Sequence, residues 1–355
     1  MELARRAFEV LKTSTGRGRF VLDAGETTYL NEHAISSTSA LFQDFQTFQQ
    51  NRFWIQLERA AIVLKDAPDQ DAQKLGIKIQ NQISDDKTHE SEHVVQLLYH
   101  TKTARDFSTK LKGHIDSSVD AFFEPIHASN ANALDDLASF VDSLADESDD
   151  TIHDQDDGEE FDAEPETESP RSLRQRAVRD YRNAMRAYAK AAHNGTRLGK
   201  SSKNAQIISW MGDHAPERKD LKDLGGQLRV HGALRRFVNP IQAYVRQLPS
   251  RYAGFRRHRA SEGSWYANLP SDPARVCGAE VDFILLALLE FVDGVRRQAG
   301  SAARTDDRVE NLVAGIREHQ VNQVFVDEVS DFSPVQLRCM AHLADPALQA
   351  VFVSG

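Results

Sequence analysis

The strongest constraint on the fold lies in residues 323–355, where two short apolar segments flank a helical pattern. Residues 324–326 are a run of β-forming side chains, and Ala350–Val353 is a second run of the same kind. Between them, Ser333 and Pro334 predict a helix start, because the Ser hydroxyl can cap the helix and Pro suits its first position. This order predicts two parallel strands joined by a crossover helix. We therefore expect an α/β fold in this part of the chain.

Two adjacent acids, Asp327 and Glu328, directly follow the first predicted strand. Ligands of parallel α/β sheets bind beyond the carboxyl ends of the strands. One carboxylate at that edge can hold Mg²⁺ through water, and its neighbour can orient and deprotonate an attacking water. Two solvated acids in a loop would explain a bare pair equally well, so the pair alone leaves both interpretations open.

The longer motif VFVDEVSDFSPVQLRCMAHL…AVFVSG resembles the Walker B motif of UvrD/Rep-like superfamily 1 helicases. That motif reads hydrophobic-VDE-x-QD-hydrophobic-S/T-x-x-Q-hydrophobic, and Gln336 occupies its last polar position. Ser330 stands where the family usually has Gln, which puts the coupling between ATP and nucleic acid in doubt. In the family the next strand runs into Gly-Asp-x-x-Gln, and Gly355 matches the first residue of that motif.

The resemblance implies a partial RecA-like P-loop NTPase sheet and ATP and Mg²⁺ as cofactors. It assigns Mg²⁺ binding to Asp327, the general base of ATP hydrolysis to Glu328 and the closing acid of the motif to Asp331. The implied activity is ATP-dependent translocation on, or unwinding of, single-stranded or duplex DNA or RNA. The alternative is an ATPase-inactive module that keeps the helicase fold and binds nucleic acid or protein partners.

Such a motor also needs a phosphate-binding loop, G-x-x-x-x-G-K-[ST], directly after a strand. The nearest segment is NGTRLGKS, which ends in Lys200 and Ser201 but has Asn194 in place of the first Gly. The residues before it, AMRAYAKAAH, have a helical and basic pattern. Lys200 and Ser201 are therefore candidates for a degenerate phosphate loop, but a basic connection between helices is the favoured interpretation. On this reading the chain alone would not be a working motor.

Charge is distributed unevenly along the middle of the chain. Residues 144–170 contain 13 acids and no Lys or Arg, whereas residues 171–260 contain 21 Lys or Arg and 5 acids. The acidic segment cannot bury enough apolar area to offset its ordering entropy, which predicts a disordered linker. It is either a solvated spacer or a mimic of nucleic acid that competes for the basic region. The basic region predicts affinity for phosphates.

Aromatic residues alternate with arginines near the end of the basic region. The pattern resembles the segment that some of these helicases insert ahead of Walker B. On that reading, arginines contact phosphates while aromatic rings stack on bases, as in single-strand tracks. A helical subdomain with ordinary aromatic core residues is the favoured alternative. The candidate nucleic-acid-binding residues are Arg251, Tyr252, Arg256, Arg257 and Trp265.

A different chemistry is suggested by the segment His89-Glu90-Ser91-Glu92-His93, which fits the zinc-peptidase pattern HExxH. No third metal ligand follows at the expected spacing, so a charged helix face is the favoured interpretation. A peptidase or phosphatase-like enzyme nevertheless stays as a rival function of another class.

Four regions complete the expected organisation. We expect a helical N-terminal region at 1–143, through which protein partners would bind, and an acidic linker at 144–170. A basic helical region at 171–300, including a buried helix at 279–297, precedes the partial RecA-like segment at 301–355. The two cysteines are far apart and no long apolar run or secretory signal occurs, which predicts a soluble cytoplasmic, nucleoid or nuclear protein without a membrane partner.

Overall fold

The computed structural model describes residues 21–22, 29–85, 91–145, 173–270, 272, 275–298, 310, 313–314, 316–345, 347–348 and 350–355. The chain forms two compact units, and each is assembled from segments distant in sequence. Unit 1 comprises Met1–Arg59, Lys78–Lys102 and Asn239–Gly355, and unit 2 comprises Ala60–Ile77 and Thr103–Val238. The predicted boundaries at 143 and 300 do not separate these units, because residues of the predicted N-terminal region contribute to both.

The described part of the chain is mostly helical, and its strands form two short parallel pairs. In order, the elements are β1 (Val21–Leu22), α1 (Glu32–Ser36), α2 (Thr38–Lys65), α3 (Gln70–Asp85), a 3₁₀ turn (Ser91–Leu97), α4 (Leu98–Ala121), α5 (Glu124–Ser129), α6 (Ala133–Ala145), α7 (Leu173–Asn194), α8 (Lys203–Met211), a 3₁₀ turn (Gly212–His214), α9 (Arg218–Val238), α10 (Pro240–Ser261), β2 (Arg275–Val276), α11 (Gly278–Gln298), β3 (Gln323–Val326), a 3₁₀ turn (Val329–Asp331), α12 (Pro334–Leu343) and β4 (Ala350–Val353).

The predicted strand–helix–strand unit is present near the end of unit 1. β3 and β4 are parallel neighbours, with Gln323 opposite Ala350 and Val326 opposite Val353. α12 connects them and begins at the predicted residue, since the Ser333 hydroxyl accepts from the Gln336 amide at 3.3 Å and the Gln336 side chain accepts from the Ser333 amide at 3.0 Å. This reciprocal capping satisfies two amides that the first helical turn would otherwise leave unpaired. The prediction of a parallel strand pair with a crossover helix is confirmed.

The core of unit 1 is built on α11, which confirms the predicted buried helix at 279–297. Its run from Val281 to Leu289 is buried throughout, including the carboxyl group of Asp282. Aromatic residues of α10 and of the first part of α2 pack around it. Tyr244 of α10 stacks on Phe291 of α11 with ring centroids 3.8 Å apart, and Phe45 of α2 meets Tyr252 edge-on at 5.0 Å. Such ring pairs stabilise a core beyond the area they bury.

Unit 2 is a helical assembly centred on α7. The buried side of α7 is rich in alanine, which lets neighbouring helices approach closely. At one crossing, Gly225 of α9 faces Ala189 of α7, and a Cβ on Gly225 would lie 2.3 Å from the Ala189 carbonyl oxygen. Only glycine fits this approach, because the obstructing atom belongs to the backbone. Leu144 at the end of α6 also belongs to this core, so the predicted linker at 144–170 begins two residues too early.

Some predictions fall outside the described residues. The acidic segment from Asp146 onward, and His89 and Glu90 of the HExxH-like segment, belong to this group. No helix in the described ranges combines the length and apolar character needed to cross a membrane.

Candidate functional site

Asp327 and Glu328 lie at the carboxyl edge of β3, where the sequence predicted them. Val326 is buried, and both acids that follow it are exposed. The backbone on each side is tied to β4, since the Ser354 amide donates to the Val326 carbonyl at 2.9 Å and the Val329 amide donates to the Ser354 carbonyl at 3.0 Å. The two carboxylates therefore stand on a backbone that is held from both sides.

One oxygen of Asp327 is occupied by donors of the protein. The Ser354 hydroxyl donates to Asp327 Oδ1 at 2.6 Å, and the Glu328 amide donates to the same oxygen at 3.1 Å. Both donors limit the rotation of the carboxylate. Ser354 was not among the predicted site residues, although its position directly after the second apolar run was a signal for it.

Glu328 has an unusual backbone conformation, with φ 52° and ψ 56°. In the described ranges, Trp265 and Glu328 are the non-glycine residues with positive φ. The left-handed region costs an L-residue about 1 kcal/mol, and residues held there concentrate at functional sites. The chain then enters the 3₁₀ turn, in which Ser330 and Asp331 are exposed. The conformation at Glu328 is an observation that the motif alone could not provide.

Gln336, the last polar residue of the motif, connects the start of α12 to α11. Besides capping the helix, it donates from Nε2 to Asp282 Oδ2 at 2.9 Å. Asp282 is 8% exposed, and desolvation by burial raises the pKa of its carboxyl to about 6, against the opposing effect of the Gln336 hydrogen bond. The turn that carries the acids is therefore anchored in unit 1 through a buried carboxyl. Asp282 was missed because it lies within an apolar helix.

Gly355 lies close to the turn that carries the acids. A Cβ at this position would be 2.8 Å from the Val329 side chain and 3.4 Å from its amide nitrogen. The approach of the chain after β4 to the turn after β3 therefore favours glycine here, as the resemblance implied.

Lys200 and Ser201 do not follow a strand. They are exposed in the connection between α7 and α8, and the residue that caps α8 is Ser202, whose hydroxyl accepts from the Ala205 amide at 3.2 Å. A phosphate loop needs a strand before it, so that its amides point at the phosphates from a sheet edge. The favoured interpretation, a basic connection between helices, matches this geometry, and a phosphate-binding role for Lys200 and Ser201 finds no support in it.

Arg256 and Tyr252 are core residues of unit 1. Arg256 and Glu280 are 3% and 0% exposed, and the guanidinium donates to both carboxylate oxygens at 3.0 and 2.9 Å. The Tyr252 hydroxyl donates to Glu280 at 3.1 Å, and the Cys277 amide donates to it at 2.9 Å. A nucleic acid cannot reach these groups in this conformation, so their predicted place in a single-strand track is corrected to a buried polar network.

Arg251 is also buried, but without a carboxylate partner. Its Nε donates to Gln49 Oε1 at 3.2 Å, one terminal nitrogen donates to the Tyr244 carbonyl at 2.5 Å, and its guanidinium lies 4.5 Å from the centre of the Tyr244 ring. Desolvation by burial lowers the pKa of Arg251 to about 10, against the opposing effect of Tyr244. Aromatic contacts and carbonyl groups thus hold the charge. This residue, too, belongs to the core and not to a surface track.

The other two candidates of the predicted track differ from each other. Trp265 is half-buried: its indole nitrogen donates to Asp44 at 2.8 Å and its ring stacks on His33 with centroids 5.0 Å apart. Arg257 is exposed on α10. Of the five predicted residues, Arg257 alone is exposed, so the five do not form one surface that could bind a strand.

Comparison of the chain with family models, with curated proteins and with solved structures yields no match. In the described residues, no cluster of three or more His, Cys, Asp or Glu side chains could hold a metal ion. The function is therefore inferred from the geometry around Asp327 and Glu328.

Proposed function

We propose that this chain carries the magnesium-binding and water-activating carboxylates of an ATP-hydrolysing motor similar to the UvrD/Rep-like superfamily 1 helicases. The observation that carries the proposal is the position of Asp327 and Glu328 at the carboxyl edge of a parallel strand pair, with Asp327 held by Ser354. Ligands of parallel sheets bind at that edge. The motif resemblance supplies the nucleotide and the nucleic acid as reaction partners.

The residues present fit a magnesium ion. Mg²⁺ prefers oxygen ligands, keeps several of its waters and is commonly held by one or two carboxylates together with substrate phosphates. Asp327 supplies such a carboxylate, and its Oδ1 is oriented by the Ser354 hydroxyl at 2.6 Å. When bound, the ion would neutralise charge that develops on the phosphates during transfer.

The two acids divide the work by their different environments. Asp327 is tied to β4, which suits a ligand that must keep its position. Glu328 follows in a left-handed conformation and its side chain is exposed, which leaves its carboxylate open to a water molecule. A carboxylate in this place can accept a proton from the attacking water as a general base.

A second candidate function rests on a different observation. Lys200 and Ser201 lie between two helices, so the nearest match to a phosphate loop lacks the required geometry. This favours the alternative of a module that keeps the helicase-like strand pair for binding nucleic acid or protein and does not hydrolyse ATP. The two candidates differ in what substitutions at the acids should do.

Metal binding by the 355-residue chain is the first test. Mn²⁺ can replace Mg²⁺ and is detected by electron paramagnetic resonance, with and without ATP. Asp327→Ala should weaken Mn²⁺ binding, whereas Glu328→Gln should leave most of it in place because the ligand carboxylate remains. Glu318→Gln is the matched control, since it removes an exposed acid of unit 1 outside the motif.

ATP turnover is the second test, in a longer protein that also contains a phosphate-binding loop. Glu328→Gln should abolish turnover while nucleotide binding persists, because the general base is lost and the metal ligand is kept. Turnover at the normal rate in Glu328→Gln would show that the assignment of the base is wrong. Equal metal binding by Asp327→Ala and the unaltered chain would favour the non-catalytic module.

A further inference from the structure

A polar groove of about 560 Å³ runs along the exposed side of α7 in unit 2. α7 supplies most of the lining, and Lys112 and Asp116 of α4 and Leu134 of α6 complete it. The four arginines that line it are Arg174, Arg179, Arg182 and Arg186. Residues spaced by three or four positions are neighbours on a helix surface, which groups Arg179, Arg182 and Arg186. Arg174 lines the same groove one to two turns earlier, so the four arginines place a row of positive charge along the groove.

Three of these arginines contact aspartates of neighbouring helices. Arg182 donates to both oxygens of Asp120 at 2.9 and 2.7 Å, and Arg174 donates to both oxygens of Asp135 at 2.5 and 2.7 Å. Arg186 donates to Asp116 at 2.6 Å. The fourth arginine, Arg179, contacts Asp180 of α7 at 3.4 Å. The lining thus contains five cations, and four aspartates offset part of their charge.

Two of these ion pairs are exposed to solvent, and the third, Arg186 with Asp116, is partly exposed, with both side chains at 33%. The side chains of Arg174 and Asp135 are 63% and 49% exposed, and those of Arg182 and Asp120 are 39% and 50% exposed. Exposed ion pairs contribute little to stability, because water screens them and both side chains lose entropy. Exchanging such an aspartate for another anion therefore costs little free energy. The carboxylates nevertheless hold the guanidinium planes in a geometry that also suits phosphate oxygens.

The length of the row favours a polymer over a single anion. Residues 174 to 186 span about 18 Å at a rise of about 1.5 Å per residue. One phosphate ion would contact one or two arginines, whereas a strand of nucleic acid presents a phosphate at every nucleotide along such a length. The apolar side chains of Leu134 and Val178 in the same groove can contact sugars or bases.

We propose that this groove binds the phosphates of a single nucleic-acid strand, and that Asp116, Asp120 and Asp135 occupy its arginines until the strand displaces them. The proposal deepens the proposed function by naming a surface for its nucleic acid, and rests on it only for the choice of polymer. The aspartates compete with the strand, because carboxylates, like phosphates, offer anionic oxygens to the arginines. Removing them and removing the arginines should therefore change affinity in opposite directions.

The test is the binding of a fluorescent single-stranded oligonucleotide by the complete chain over a range of salt concentrations. Each phosphate contact on a single strand contributes about −0.7 to the slope of log K against log salt. In Arg182→Gln/Arg186→Gln the slope should become less negative by about 1.4. The loss of affinity between about 50 and about 200 mM salt should then shrink by about sevenfold.

The opposite change provides the sharper readout. Asp116→Asn/Asp120→Asn removes two competitors but keeps side-chain size, and should tighten oligonucleotide binding, most of all at low salt where screening is weak. Removing any two acids also raises the general attraction for a polyanion, so the gain supports the proposal only where it exceeds that of Asp220→Asn/Asp223→Asn, at exposed positions of α9 outside the groove lining. Thermal unfolding followed by circular dichroism identifies any variant that has lost its fold.

The matched control is Lys219→Gln/Lys222→Gln, which removes the same charge from exposed positions of α9 outside the groove lining. It should leave the salt slope close to that of the unaltered chain. If the salt slope changed as much in this control as in the arginine variant, the attraction would be diffuse and the proposal would be wrong. Unchanged oligonucleotide binding in arginine and aspartate variants that still fold would also overturn the proposal. If phosphate alone at about 10 mM or less abolished binding, the groove would be a site for a small anion and not for a strand.

The outcome is separable from that of the proposed function. Metal binding at Asp327 is measured without nucleic acid, and oligonucleotide binding needs neither metal nor ATP, because counterion release requires no hydrolysis. A failure of one measurement leaves the other standing.

Discussion

Glu280 offers the most direct test of the buried network that replaced the predicted nucleic-acid track. The proposed change is Glu280→Gln, which keeps the size of the side chain and removes its charge. In the structure this carboxylate is fully buried and faces Arg256, which is 3% exposed. It also accepts from Tyr252 and from the Cys277 amide. The substitution therefore leaves the Arg256 guanidinium in the core without its carboxylate.

The expected cost is large compared with the stability of a typical domain. Removing one partner of a buried ion pair costs about 3–5 kcal/mol, because the remaining charge stays desolvated. Total unfolding free energies are about 5–15 kcal/mol, so Glu280→Gln should bring unit 1 close to unfolding. The double variant Arg256→Met/Glu280→Met should recover a large part of this loss, since neither charge is then buried.

Urea unfolding followed by tryptophan fluorescence measures the effect. Trp54 and Trp265 lie in unit 1 and Trp210 lies in unit 2, so a Trp210→Phe background limits the signal to unit 1. Glu262→Gln is the control, since Glu262 is 44% exposed where it contacts Arg259 and its loss should cost less than about 1 kcal/mol.

The unfolding free energy of Glu280→Gln also tests whether Arg256 can contact nucleic acid. A cost below about 1 kcal/mol for Glu280→Gln would refute the assignment of Arg256 to a buried pair. A role for Arg256 in binding a single strand would then have to be considered again. On the present assignment, Arg256→Met in a chain that still folds should leave the salt slope of oligonucleotide binding unchanged.

Two further predictions concern pH and charge. Because burial raises the pKa of Asp282 to about 6, above about 3.9 in the unfolded chain, this residue favours folding below about pH 4 and that contribution is lost as pH rises through about 6. The unfolding free energy of Asp282→Asn minus that of the unaltered chain should therefore rise by about 2 kcal/mol from pH 4 to pH 7, and a constant difference would contradict the buried placement. Deleting residues 146–170, which contain 13 acids, should tighten oligonucleotide binding, most at low salt; equal affinity would favour a plain spacer. The deletion starts at 146 because Leu144 is part of a core.

The strand–helix–strand unit could be predicted because its signals act over a few residues. An apolar run specifies each strand, and the hydroxyl of Ser333 with the ring of Pro334 specifies the helix start within one turn. The structure places β3, α12 and β4 within one or two residues of the predicted bounds. The acids at the strand end follow from the same local pattern, and so their position at the carboxyl edge was predictable too.

The environment of the arginines could not be predicted in the same way. Arginine and aromatic residues alternate on α10 whether the helix faces solvent or a core, because the spacing is identical in both cases. The difference lies in partners far away in sequence, such as Gln49 for Arg251 and Glu280 for Arg256. The division into two units could not be predicted for the same reason, because contacts between segments distant in sequence define each unit. Composition along the chain does not record these contacts. Patterns of composition therefore locate charge but not burial.

The position of the acids depends on the core of unit 1 as well as on the motif. Of the strand pair, Val326 is buried, whereas Phe325 is 70% and Phe352 is 51% exposed, and a two-stranded sheet has little stability of its own. α12 supplies the missing anchor, because carboxylates of α11 contact it along its length: Asp282 at Gln336, Glu290 at Arg338, and Asp293 at His342.

This seam between α11 and α12 explains why the strained conformation at Glu328 can persist. The turn after β3 is held on one side by hydrogen bonds to Ser354 and on the other by the cap at Ser333, which Gln336 connects to buried Asp282. Backbone strain of about 1 kcal/mol survives where surrounding contacts over-determine the conformation. A change at Asp282 should therefore also reach the acids, through the cap of α12. Weaker Mn²⁺ binding by Asp282→Ala than by Asp282→Asn, which can still accept from Gln336, would show this connection, and equal binding would limit the seam to a role in stability.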